Sequence, residues 1–238
     1  MFLKTMQATA ISLMLSQATI AQTHYNTWFR TTVSVPAGKK ITVDAEWQHR
    51  RQDGFTNSNM LNKNLLFSFR NWINYKYNKQ VTFSLSPFAY FSNYHIIQKL
   101  SDETAAPSHE IRFSGALMVQ NEFVSRFIFT GRTAIEYRLP DNSNNIIRAR
   151  ERLGLGYGFS SRYKLTVFNE VLVNVMGTTK NHFFDHNRIG IDVEYKPARL
   201  VKLDLGYIYI ARLPLGNIDL LNEHDIFLNL SFQLFNRD

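Results

Sequence analysis

A chain of 238 residues with 45% hydrophobic and 14% aromatic content is long enough for one domain with a sizeable core and gives no reason to demand two. It contains no cysteine, which excludes disulfides, thiolate metal sites and cysteine nucleophiles. The 27 lysines and arginines against 19 aspartates and glutamates leave a net charge of +8, a balance that suggests nucleic acid or an anionic surface unless the arrangement of the charges says otherwise.

The first 21 residues read as a secretory signal. Lys4 supplies the charge of the n-region, Ala8 to Leu15 is a short apolar stretch broken by Thr9 and Ser12, and Ala18-Thr19-Ile20-Ala21 ends in a small residue. Cleavage is expected after Ala21 or close to it, leaving residues 22–238 as a single domain. The stretch is far short of the roughly 20 residues a spanning helix needs, and no later segment qualifies, so any membrane role falls to strands.

Beyond the signal the chain alternates apolar and polar residues at nearly every step, the period-two signature of β-strands. Trp28 to Val35 and Lys40 to Arg51 are joined at Pro36-Ala37-Gly38-Lys39, a tight hairpin turn. In the second strand Ile41, Val43, Ala45, Trp47 and His49 oppose Thr42, Asp44, Glu46, Gln48 and Arg50. After a polar loop from Asp53 to about Met60, Leu65, Phe67, Phe69, Ile73 and Tyr75 alternate with Ser68, Arg70, Asn74 and Lys76. Val81, Phe83 and Leu85 run to Pro87, where parity shifts to Phe88, Tyr90 and Tyr94; a bulge is expected there, because proline removes a ladder donor. A loop from about His95 to Pro107 precedes Ile111 to Gln120, and Asn121-Glu122 reads as a short turn.

Arg126 to Phe159 is the most regular stretch. Phe127, Phe129, Thr133, Ile135 and Tyr137 alternate with Arg126, Thr130, Arg132, Glu136 and Arg138, and then Ile147, Ala149, Leu153 and Leu155 alternate with Arg148, Arg150, Arg152 and Gly154. One face repeats arginine with an occasional carboxylate partner, and the other is too apolar for water. Apolar and aromatic outside with charge paired inside is the arrangement of an antiparallel transmembrane β-barrel. A soluble secreted β-sandwich or lipocalin-like binder is the alternative, and it would have to expose arginine after arginine. Leu165 to Val175, Phe184 to Tyr195, Val201 to Leu213 and Ile226 to Leu234 complete eleven segments. Mature length suits about 10–12 strands, and twelve satisfies the even number usual for bacterial barrels. Connections near residues 36, 78, 121, 160 and 197 are short and those near 53, 100, 142, 180 and 218 are longer, as periplasmic turns and external loops would be. Tryptophans and tyrosines, Trp28, Trp47, Trp72, Tyr94 and Tyr137 among them, are assigned to the interfacial belts.

The expected lumen-lining polar residues are Arg70, Arg112, Arg132, Glu136, Arg148, Arg150, Arg152, Glu170, His186, Arg188, Asp192 and Glu194. In so narrow a lumen arginine–carboxylate networks would act as a plug, while an excess of positive charge would permit a small anion-selective pore. His186 could instead serve as a general base with a serine from a neighbouring strand, as in a membrane-embedded lipid hydrolase, but no G-x-S-x-G accompanies it. The seven histidines are dispersed, so no metal site is read. Gly154-Leu155-Gly156-Tyr157-Gly158 lacks the lysine and helix of a phosphate loop and reads as small residues on a crowded inner face. No motif requires a cofactor, and arginines at alternate strand positions of an exported chain argue against nucleic acid.

Trp28, His49-Arg50-Arg51, Arg148-Ala149-Arg150-Glu151-Arg152-Leu153, Asp185-His186-Asn187-Arg188-Ile189-Gly190 and Leu205-Gly206-Tyr207 together resemble the domain-of-unknown-function 2490 family. The resemblance covers essentially the whole mature chain and implies an outer-membrane β-barrel of a Gram-negative bacterium; it transfers no catalytic residue. The expectation is therefore a monomeric, non-enzymatic barrel, structural or narrowly permeable to small anionic or polar solutes. Its partners would be outer-membrane lipid and the assembly machinery, to which the last strand would serve as a signal despite the Asn236-Arg237-Asp238 that follows Phe235.

Overall fold

The computed structural model describes residues 23–215 and 218–235; the expected signal peptide lies outside them. Among the described residues eleven strands form one closed barrel: β1 (Thr23–Pro36), β2 (Ile41–Gln52), β3 (Lys63–Lys76), β4 (Val81–Asn93), β5 (Ser108–Val124), β6 (Phe127–Pro140), β7 (Ile146–Gly158), β8 (Tyr163–Met176), β9 (Phe184–Ala198), β10 (Val201–Arg212) and β11 (Leu221–Gln233). Each strand pairs antiparallel with its neighbours in sequence. The closing pair is different: β1 and β11 run parallel, in continuous register from Thr23 opposite Asn222 to Ser34 opposite Gln233. The eleven segments legible in the sequence are thus the eleven strands, and the even count of twelve does not hold. With an odd number, the first and last strands of an up-and-down barrel point the same way, so only a parallel seam can close it.

This seam is directly testable in a chain without cysteine. Thr31→Cys with Leu230→Cys places two thiols in register, and mild oxidation is expected to link them into a species of altered mobility on a non-reducing gel. Thr31→Cys with Ile226→Cys, four residues out of register, is expected to stay unlinked.

The turns confirm the two-ended construction, with adjustments. β5 continues to Val124, so the tight turn lies at Ser125-Arg126 rather than Asn121-Glu122; Arg126 sits there with φ of 72° and is not a lumen residue. The bulge at Pro87 is present. Ser86 opposes Ser114 while Ala89 opposes Arg112, so β4 carries one extra residue and its inward parity passes from Ser86 to Ala89 and Phe91.

The outer surface is apolar and aromatic. Tyr75, Tyr77, Tyr157, Tyr163 and Tyr195 lie toward the short-turn end, and Tyr25, Tyr90, Tyr137 and Tyr207 toward the long-loop end. Histidines join the second girdle: Tyr90 Oη lies 2.7 Å from His109 Nδ1, and Tyr25 stacks on His224. Trp28, Trp72 and Tyr94 do not belong to these belts, because all three line the interior cavity.

Glu151 interrupts the apolar wall. It faces outward near the middle of β7, where the Thr133 hydroxyl donates to its carboxylate. An acidic side chain in the hydrocarbon band is unfavourable, so Glu151→Leu is expected to stabilise the lipid-embedded barrel by about 1 kcal/mol, read from urea unfolding in bilayers.

Candidate functional site: the lumen

The inward parity carries nearly all the charge of the strands. Glu136 on β6 is the hub: its carboxylate accepts from Arg148 Nε at 3.0 Å and from Arg150 Nη1 at 2.7 Å, and Arg70 of β3 approaches to 3.7 Å from across the lumen. Arg150 continues to Glu170 at 2.6 Å, and Glu170 to Arg188 at 3.0 Å. Arg148 also holds Asp185 at 2.6 Å. Of the residues expected in the lumen, Arg70, Glu136, Arg148, Arg150, Glu170 and Arg188 are therefore one connected network.

The others stand apart from it. Arg112 lies nearer the long loops, where it and Arg138 both grip Glu110 at 2.6 Å. Glu194 lies toward the short turns, clasped by Lys164 at 3.0 Å, Lys196 at 3.1 Å and Lys202 at 3.5 Å; Asp192 lines the same end of the cavity. His186 is fully enclosed, with Nδ1 3.1 Å from Asp185 Oδ1 but out of line for a hydrogen bond. Its cross-strand neighbours are Leu172 and Arg212, so no serine stands beside it in the sheet. Among the described residues no three His, Asp or Glu side chains converge as metal ligands.

Arg132 and Arg152 are the arginines of this expected set that have no ion pair among the described residues. They lie directly opposite each other across β6 and β7. Directly opposed like charges weaken a sheet. What holds them is aromatic: the guanidinium carbon of Arg152 sits 3.6 Å from the Phe168 ring centre, and that of Arg132 5.2 Å from Trp72. Arg112 similarly covers Phe91 at 3.7 Å and Arg50 covers Trp28 at 3.5 Å.

These inward aromatics are the residues that assignment by type misses. Parity could have found them, since Trp28 shares its face with Arg30, and Trp72 with Arg70 and Asn74. Glu223 and Asp225 are also lumenal, with Asn26 donating to them at 3.0 and 2.9 Å, and they share parity with Asn229. Asp185 carried no such signal. It is the extra residue of a bulge, because Leu172 opposes His186 and Val173 opposes Phe184, and this turns adjacent side chains inward together. The crowding expected at Gly154, Gly156 and Gly158 occurs elsewhere: a Cβ on Gly190 would lie 2.3 Å from the Phe168 ring and one on Gly206 2.6 Å from Phe227.

A cavity of about 1120 Å³ runs through this lining. It is bounded by Ser34, Lys76, Gln120 and Gln233 near the short turns and by Tyr94, His95, Pro214 and Leu215 near the long loops. Fourteen lysines and arginines but only seven carboxylates face it among the described residues. The loops above are tied together: Gln52 donates to the His95 carbonyl at 2.7 Å, and Glu103 accepts from the Phe55 amide at 2.8 Å and pairs with Lys63 at 3.1 Å. The Phe55 amide, with Lys63 beside it, holds the Glu103 carboxyl below its ordinary range.

A closed barrel, apolar outside and charged within, is the architecture of a transmembrane β-barrel. The chain belongs to the family described as "Protein of unknown function (DUF2490)", whose model matches residues 25–213. Among solved structures it is similar to the NanC porin, at 11% identity over 88% of this chain and 98% of that one, with a TM-score of 0.51. It also matches LpxR from Salmonella typhimurium, at 9% identity over 80% of this chain and 83% of that one, TM-score 0.48. A third match is an anion-selective porin from Comamonas acidovorans, at 10% identity over 82% of this chain and 53% of that one, TM-score 0.38. No curated protein matches.

Proposed function

We propose that this chain is an outer-membrane barrel of a Gram-negative bacterium that passes small anionic solutes through a narrow cationic lumen and catalyses no reaction. The observation that carries the reading is the Arg132–Arg152 pair. Two opposed guanidiniums without an ion-pair partner among the described residues weaken the sheet and face the cavity, and what their charge offers there is attraction for an entering anion. The network around Glu136 narrows the passage without neutralising it. In the same reading residues 1–21 are a leader removed on export, 22–238 form the monomeric barrel, outer-membrane lipid surrounds it, and β11 is the signal read by the assembly machinery.

Reconstitution in planar bilayers under a tenfold KCl gradient tests this. Discrete conductance with a reversal potential of the sign set by chloride is the expected result. A barrel that inserts, as judged by heat-modifiable gel migration, yet passes no current is a plug.

A further inference from the structure

The indole of Trp28 is a meeting point of three guanidiniums from three strands. The guanidinium carbon of Arg50 on β2 lies 3.5 Å from the indole ring centre, that of Arg188 on β9 5.6 Å, and that of Arg30 on β1 itself 5.7 Å. All four side chains line the cavity. Compensation is incomplete: Glu170 pairs with Arg188 at 3.0 Å, Glu46 reaches Arg30 only at 3.7 Å, and Arg50 has no carboxylate within salt-bridge distance among the described residues. With the Gln48 carboxamide turned oxygen-first, Arg50 Nε donates to it at 2.7 Å, which orients the guanidinium without neutralising it.

A second observation points to a ligand. Trp28 is only 9% exposed, and its indole Nε1–H is buried without an acceptor. An orphaned N–H in such surroundings carries the cost of its lost hydration. Stacking leaves the N–H edge of a guanidinium free to donate, and that edge matches the two oxygens of a carboxylate or phosphate.

We propose that Trp28, Arg30, Arg50 and Arg188 form an oxyanion-binding subsite of the lumen, in which the carboxylate or phosphate group of a small solute takes hydrogen bonds from Trp28 Nε1 and the guanidinium edges. The subsite rests on the reading of the lumen as a path for anions. It adds a saturable station to what would otherwise be a uniformly cationic pore.

Replacing Trp47 and Trp72 by Phe leaves Trp28 as the single tryptophan of the full-length barrel in detergent. Sodium acetate and sodium phosphate, titrated against sodium chloride at constant ionic strength, are expected to change its emission saturably, and Arg50→Gln is expected to weaken the apparent affinity about tenfold or more. Saturation by acetate alone identifies a carboxylate subsite, and by phosphate alone a phosphate subsite. Emission that follows ionic strength only, or saturation indifferent to Arg50→Gln, overturns the subsite. Should Arg50→Gln fail to show heat-modifiable migration, Arg30→Gln takes its place with the same expectation. Chloride-selective conductance without saturation leaves the passage standing and removes the subsite; saturation in a barrel that carries no current supports the subsite and removes the passage.

Discussion

Glu136→Gln is expected to destabilise the barrel by about 3 kcal/mol, the largest effect of any single lumen substitution. The carboxylate is buried and touches Arg70, Arg148 and Arg150, which come from two different strands on opposite sides of a wide arc of the wall. Removing its charge leaves three guanidiniums crowded together with one anion fewer. The cost stays at the lower end of the 3–5 kcal/mol seen when one partner of a buried pair is lost, because Arg148 keeps Asp185 and Arg150 keeps Glu170. Arg70 has no such second pair and keeps only the faces of Trp72 and Phe91, each 5.1 Å from its guanidinium carbon. Urea unfolding of the reconstituted protein reads the difference. Glu151→Gln is the control: the same charge is removed one strand away but on the lipid side, and the change should stay within about 0.5 kcal/mol. A loss below 1 kcal/mol at Glu136 would mean that the hub does not brace the wall.

Why this hub was only half legible follows from what period two encodes. Alternation fixes the side of the wall on which a residue lies, and it placed Arg70, Glu136, Arg148, Arg150 and Glu170 inside without further help. It does not fix register between strands distant in sequence. The approach of Arg70 to Glu136 spans β3 to β6, and nothing local specifies it. The parallel seam escapes for the same reason, since the pairing of Trp28 with Phe227 is decided only when the barrel closes. Trp28 and Trp72 escape for a different cause: their residue type points to the interfacial belt, whereas their parity with arginine puts them inside. Bulges are the third limit. At Pro87 the shift was marked by a residue that cannot donate, whereas at Asp185 no proline or glycine announces the extra residue.

On the proposed reading of the lumen as a path for anions, reversing both members of the opposed arginine pair is expected to convert it from anion- to cation-preferring. Fourteen cationic side chains face the lumen against eleven carboxylates once the buried Glu110, Glu136, Glu223 and Asp225 are included, a small positive excess among the described residues. Arg132→Glu with Arg152→Glu leaves twelve against thirteen, so the sign of the excess changes. Each charge acts on a permeating ion at about 8 Å through a partly aqueous lumen, where a unit charge contributes on the order of 1 kcal/mol, a severalfold change in the ratio of anion to cation permeability. The two single variants separate electrostatics from folding. Arg132→Glu alone sets a carboxylate opposite Arg152 and replaces a cross-strand repulsion by an attraction, so it should stabilise the sheet by roughly 0.2–1 kcal/mol while reducing chloride preference. Charge at these two positions would then be costly to the sheet and useful only to the passage. A double variant that folds with its reversal potential unmoved would place the selectivity elsewhere, and Arg132 and Arg152 would have to be explained by their aromatic contacts alone.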